Sequence, residues 1–71
     1  MRRLLNANGV AWICEQQTMR NVDGRAVLRC TSVFNDVRLF APVDWHSAWS
    51  DDLLIRAIGD AVRRVGMPPI A

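Results

Sequence analysis

The 71-residue sequence contains no lysine, and all nine of its basic residues are arginine. It has one histidine, His46, and two cysteines, Cys14 and Cys30. A zinc site would need all three of these residues and a carboxylate such as Asp44, and the spacing lacks the close cysteine pairs of a compact zinc knuckle. Nucleophilic catalysis would need a base beside a cysteine or serine, and no glycine-rich anion loop accompanies His46. We therefore expect no enzyme activity, no metal and no cofactor.

Long apolar runs are also missing. No stretch approaches the roughly 18 residues of a membrane-spanning helix, and the opening Met1-Arg2-Arg3-Leu4-Leu5 reaches Asn6 before a signal-peptide core forms. We expect a small cytoplasmic protein of bacterial or phage origin, folded as a single domain over residues 1–71. At this length a core typically supplies only about 3 to 5 kcal/mol of net stability, so a partner subunit would help.

Three segments have the composition of β-strands. Residues 10–19 are rich in strand formers, residues 26–34 alternate in polarity, and residues 37–41 follow a possible turn at Asn35-Asp36. Pro42 cannot donate to a strand ladder, so the third strand ends there or lies at a sheet edge. We interpret residues 1–9 as a basic lead-in.

The last third of the chain predicts one amphipathic helix. Ser50 is a good N-cap, and Asp51 and Asp52 fall in the first turn, where the helix dipole favours negative charge. Apolar residues then recur at helical spacing until Gly66, and residues 67–71 form a Pro-rich tail. The predicted fold is α+β: a three-stranded antiparallel meander with one C-terminal α-helix packed on one face (βββα).

The turn in Arg20-Asn21-Val22-Asp23-Gly24-Arg25 determines which side chains the sheet buries. A two-residue loop at Asp23-Gly24 would turn Trp12 away from Leu28, whereas a three-residue loop at 22–24 with a bulge at glycine turns Trp12 towards the helix. Burial favours the three-residue loop. The face under the helix then holds Val10, Trp12, Cys14, Leu28, Cys30, Phe34, Val37, Leu39 and Ala41.

The opposite face of the predicted sheet is half apolar, and one helix cannot cover it. Such a patch commonly marks a contact site. We therefore expect a small non-enzymatic protein-interaction module, either a homodimer through the open sheet or a small regulator or inhibitor of a larger protein. The candidate partner-binding residues are Ile13, Met19, Val27, Arg29, Val33, Arg38 and Phe40.

Nucleic-acid binding is the alternative function. A three-stranded sheet backed by one helix can enter a major groove, and six arginines lie in the half of the chain that forms the sheet. Against this, residues 1–43 carry a net charge of only +3, from those six arginines against Glu15, Asp23 and Asp36. The six arginines are Arg2, Arg3, Arg20, Arg25, Arg29 and Arg38.

Three short segments resemble a group of short uncharacterised bacterial proteins. The segments are Leu28-Arg29-Cys30-Thr31-Ser32, then Arg38-Leu39-Phe40-Ala41-Pro42-Val43-Asp44-Trp45, then Ser50-Asp51-Asp52-Leu53-Leu54. That group shares a strand, an Arg-Leu-x-x-Pro-x-x-Trp segment and a Ser-Asp-x-x-Leu helix start. The resemblance covers about residues 28–62 and implies no activity.

Overall fold

The protein folds as one antiparallel sheet followed by two helices. The computed structural model describes residues 2–66, apart from the side chains of residues 18–22 and 65. Its elements are β1 Arg2–Ala7, β2 Val10–Val22, β3 Arg25–Thr31, β4 Asp36–Pro42, α1 Trp45–Ala48 and α2 Asp51–Gly66. The strands are ordered β1-β2-β3-β4 across the sheet. The predicted α+β class and C-terminal helix are confirmed, whereas the predicted count of three strands is wrong. The predicted Pro-rich tail, 67–71, lies outside the described residues.

The additional strand is β1, which occupies most of the expected lead-in. Asn8 and Gly9 both have positive φ, of 53° and 80°, as a two-residue type I′ hairpin turn requires. The turn pairs β1 with β2 from Ala7 opposite Val10 to Arg2 opposite Glu15. Asn-Gly between strand formers is a strong hairpin signal, and here it makes the N-terminal residues an edge strand.

The β2–β3 hairpin differs from the expected three-residue loop. Its turn has two residues, Asp23 and Gly24, with φ of 52° and 73°, and Val22 pairs with Arg25. The register then shifts: between the pairs Gln16–Leu28 and Asn21–Ala26, β2 has four residues and β3 has one. Side chains alternate between the two sides of a sheet with a period of two. An odd excess of three residues therefore moves each β2 side chain before the shift to the opposite side of the sheet. Trp12 consequently points inward, as expected, although the odd residue count arises inside β2 and not at the turn.

The loop between β3 and β4 is also longer than expected. Thr31 pairs with Asp36, so the loop spans residues 32–35 in place of a two-residue turn at Asn35-Asp36. The Ser32 hydroxyl accepts hydrogen bonds from the backbone N–H groups of Phe34 and Asn35, both at 3.1 Å. Phe34 therefore lies in the loop and is 75% exposed. Its expected place on the inner face is wrong.

The core lies between the sheet and α2. The Ser50 hydroxyl accepts a hydrogen bond from the Leu53 N–H at 3.2 Å, which confirms Ser50 as the N-cap of α2. Trp45 of α1 is fully buried at one end of the core, where its indole N–H donates to Oε1 of Gln16 at 2.9 Å. The buried core residues are Leu5, Trp12, Cys14, Ala26, Leu28, Cys30, Val37, Ala41, Trp45, Leu54, Ile58 and Ala61.

Candidate interaction surface

The sheet side that faces away from α2, called the outer face below, carries the alternate residues of all four strands. Its assignment follows from the pairing register, because the intervening residues of each strand belong to the core. Within residues 2–66, no helix or loop residue belongs to a cluster covering this side. The outer face comprises Arg2, Leu4, Asn6, Ala11, Ile13, Glu15, Arg25, Val27, Arg29, Thr31, Asp36, Arg38 and Phe40.

A row of charged side chains crosses the middle of the outer face. Arg2 lies opposite Glu15, Glu15 opposite Arg29, and Arg29 opposite Arg38. Arg29 also binds the carboxylate of Asp36 through two hydrogen bonds, of 3.1 and 2.7 Å. Charges of both signs therefore divide the outer face into separate apolar groups.

Two apolar groups flank this charged row. On the β1–β2 side, Leu4 lies opposite Ile13, and these side chains are 68% and 38% exposed. On the β3–β4 side, Val27 lies opposite Phe40, which is 50% exposed. The guanidinium of Arg25 lies over the Phe40 ring at 5.3 Å from its centroid, a cation–π distance. Large apolar side chains are thus accessible at both ends of one surface.

The predicted partner-binding residues do not all share this surface. Ile13, Val27, Arg29, Arg38 and Phe40 lie on the outer face. The structure places Val33 in the β3–β4 loop, where it is 88% exposed, so its expected position on the sheet face beside Arg38 is wrong. The side chain of Met19 lies outside the described residues.

Leu4 is the accessible apolar residue of this surface that the sequence analysis missed. It lies in the segment interpreted as a lead-in, so it was not assigned to either face. The Asn8-Gly9 dipeptide was the signal that would have placed it, since a hairpin turn there pairs residues 2–7 with β2.

The ion pair between Arg29 and Asp36 changes the titration of both groups. Hydrogen bonds from Arg29 lower the pKa of the Asp36 carboxyl, and the nearby charge of Arg38 acts in the same direction. The same bonds raise the pKa of Arg29. Both side chains are about half exposed, so this pair fixes their orientation more than it stabilises the fold.

The two cysteines meet on the inner side of the sheet. Cys14 lies directly opposite Cys30, and both side chains are fully buried and reduced. The three-residue loop expected from the sequence would pair Cys14 with Ser32 and set it diagonally to Cys30, and this arrangement is wrong, because the observed register differs from the expected one by two residues. A hydrogen bond from the Cys30 thiol lowers the pKa of Cys14, and the shared bond together with burial raises that of Cys30. Among the described residues, no group of three potential metal-ligating side chains lies together.

Comparisons with other proteins give no functional lead. The chain matches no protein-family model, no curated protein and no solved structure. Within the described part of the chain, neither helix combines the length and apolar character needed to cross a bilayer. Any functional assignment therefore has to be argued from the geometry of the surface.

Proposed function

We propose that this protein is a small non-enzymatic interaction module that forms a homodimer through its outer face. The observation that carries the proposal is the exposure of Leu4, Ile13 and Phe40 on one sheet face, opposite the side on which α2 packs. Exposed apolar side chains grouped on one surface are typical of contact sites. The basic residues of the chain are arginines and not lysines, and arginine is favoured over lysine at interface cores.

The charged row supports a second copy of the chain as the partner. A two-fold dimer presents the same surface from both sides, so the Glu15 of each row can meet an arginine of the other row, whereas Arg29 is already paired with Asp36. Glu15 lies between Arg2 and Arg29. A rotated copy can therefore place its Glu15 against an arginine of the first copy, while the flanking apolar groups pack around these charges. Docking of this face on a larger protein, as a regulator or inhibitor, is the other form of the hypothesis.

Nucleic-acid binding has less support from the geometry. Arg3 does not reach the outer face, because its guanidinium donates to the backbone carbonyls of His46 and Trp49. Arg29 is engaged by Asp36, and Glu15 adds a negative charge to the centre of the surface. On the described outer face, Arg2, Arg25 and Arg38 are left for phosphate contacts, and affinity for nucleic acid depends on the number of such contacts.

Sedimentation equilibrium tests the proposed homodimer. We expect the wild-type chain to dimerise with rising concentration and the double variant Leu4→Ser/Ile13→Ser to remain monomeric with a native circular dichroism spectrum. Leu53→Ser is the matched control, because Leu53 is 46% exposed but lies on α2, away from the outer face. A wild-type chain that stays monomeric, or a dimer that the control weakens equally, contradicts the proposal.

A titration against mixed-sequence DNA at two salt concentrations tests the alternative function. Phosphate binding must weaken steeply as salt rises, because association releases counterions. Absence of binding at low salt removes this alternative.

A further inference from the structure

A cleft of about 300 Å³ lies between helix α2 and the edge strand β4. Three arginines from three different elements line it: Arg25 of β3, Arg38 of β4 and Arg64 of α2. Leu39, Phe40 and Ala57 add apolar surface to the cleft. Because Ala57 and Arg64 belong to the helix, the cleft opens at the margin of the sheet, where it shares Arg25, Arg38 and Phe40 with the outer face.

The charges of the cleft are unbalanced. Its lining holds one carboxylate, Asp60, so three arginines against one aspartate give a formal charge of +2. Asp60 is already bound by Arg63 one helical turn further on. The acidic residue of β4, Asp36, is bound in turn by Arg29. Both neighbouring carboxylates are thus engaged by arginines that do not line the cleft, and its positive charge suits an anionic ligand.

The cleft also borders a strand edge. Within the described residues β4 pairs with β3 alone, so its other side presents backbone N–H and C=O groups along residues 36–42. Such an edge can accept a further strand through main-chain hydrogen bonds. Side chains of an added strand would alternate between two sides. One side holds Arg38 and Phe40, and the other holds Leu39 and the facing surface of α2.

We propose that this cleft binds an extended acidic segment of a partner protein, which adds to β4 as a fifth strand. Alternate carboxylates of that segment would bind Arg25 and Arg38 on one side of the sheet. The intervening residues would be small and apolar to fit against Leu39 and Ala57, with Arg64 binding a carboxylate at the helix end of the cleft. Strand addition provides affinity through the backbone, and the alternating pattern provides specificity.

Two features favour a peptide strand over a small anion. The arginines come from three elements, β3, β4 and α2, and an extended strand can contact them along its length, whereas one phosphate would need them to converge on a single point. Inorganic phosphate would also leave the apolar surface of Leu39 and Ala57 without a contact. A second copy of β4 fits poorly, because it would bring another arginine-bearing edge to a site that already has a positive excess.

Fluorescence anisotropy with a labelled nine-residue peptide of alternating Glu and Val tests the proposal. We expect binding to the full chain, and a roughly tenfold loss of affinity in Arg64→Ala and in Arg38→Ala. Arg56→Ala is the matched control, because Arg56 is an exposed arginine of the same helix outside the cleft, and its affinity should equal that of the wild type. Bound peptide should also slow hydrogen exchange of the β4 amides, which identifies strand addition independently of the variants.

Three control ligands define the outcomes that would overturn the proposal. They are a peptide with the same composition but Glu and Val in separate blocks, inorganic phosphate, and a twelve-nucleotide single-stranded DNA. One contrary result is that the block peptide binds as tightly as the alternating peptide, and another is that phosphate at the same concentration as the alternating peptide displaces it. Either result would show that the cleft binds anions of any shape. Tighter binding of DNA would assign the cleft to nucleic acid. No peptide binding together with a dimer that Arg64→Ala dissociates would show that a second copy occupies it.

The peptide experiment is distinct from the dimer experiment. Arg38 and Phe40 belong to both surfaces, but Leu4 and Ile13 lie on the β1–β2 side of the sheet, away from the cleft, and Arg64 lies on the helix. If the protein proves monomeric, the peptide can still bind. If the peptide does not bind, the protein can still dimerise through Leu4 and Ile13.

Discussion

Arg3 donates a hydrogen bond from Nη1 to the backbone carbonyl of Trp49 at 2.8 Å, across 46 residues of sequence. A second guanidinium nitrogen donates to the carbonyl of His46, and the group lies 5.5 Å from the ring centroid of the buried Trp45. Carbonyls at the end of a helix lack partners within it, and cations stabilise them. Arg3 therefore joins strand β1 to helix α1 and to Trp49, the residue that follows α1.

Replacing Arg3 with methionine should destabilise the fold. The variant loses two charge-assisted hydrogen bonds from a side chain that is 17% exposed, so we expect a loss of about 2 kcal/mol in the free energy of unfolding. Urea denaturation measures this loss. Arg2→Met is the control, because Arg2 lies exposed on the outer face, and its effect should stay within about 0.5 kcal/mol. Equal effects of the two substitutions would contradict the role assigned to Arg3.

Two glycine-to-alanine substitutions should change stability in opposite directions. Gly9 has φ of +80° in the β1–β2 turn, so Gly9→Ala should cost about 1 to 2 kcal/mol. Gly59 lies in α2, where an added Cβ would meet no atom within 4 Å. Gly59→Ala should therefore stabilise the protein by about 0.5 to 1 kcal/mol, because alanine has the higher helix propensity. Thermal unfolding of both variants checks the signs, and a neutral Gly9→Ala would contradict the type I′ turn.

The Arg29–Asp36 ion pair should make stability depend on pH in the acid range. The pKa of Asp36 is lower in the folded than in the unfolded state, so its contribution is present above about pH 4, the ordinary pKa of aspartate. That contribution is lost as pH falls through the lower folded value. The stability difference between the wild type and Asp36→Asn should therefore shrink from pH 5 to pH 2, and Arg29→Gln should behave like Asp36→Asn. A difference that grows on acidification would contradict the assignment.

Both thiols should be protected in the native protein. Cys14 and Cys30 have no exposed surface, and reaction with an aromatic disulfide reagent requires access to the sulfur. We expect slow modification in buffer and fast modification in urea, with a rate that rises along the unfolding transition. Immediate titration of two thiols in the native state would show that the sheet and helix do not enclose them.

Much of the fold can be predicted from local patterns. Ser50 followed by Asp51 and Asp52 gives the start of α2, and the strand alternation gives the buried set around Leu28 and Cys30. The inward position of Trp12 is confirmed for a different reason from the one expected. The turn is one residue shorter than expected, which alone would place Trp12 on the outer face. The excess of three residues in β2 moves Trp12 back to the inner face.

Other features depend on partners that are distant in sequence. Ser32 caps the β3–β4 loop through its hydroxyl, and this local competition with strand pairing exposes Phe34. The position of Arg64 beside Arg38 requires the packing of α2 along β4. The role of Arg3 requires the carbonyls at the end of α1, and no sequence period indicates such a contact. Of these features, the packing of α2 along β4 determines the shape of the proposed cleft.

In the proposed homodimer, the outer face forms the contact between the two copies. The most direct measurement is isotope-filtered NMR on an equal mixture of ¹³C-labelled and unlabelled protein at dimerising concentration. We predict intermolecular nuclear Overhauser effects from the methyl groups of Leu4 and Ile13 to protons of the other copy's outer face. Intermolecular effects that arise only from helix residues such as Leu53, or none at all, would contradict the account.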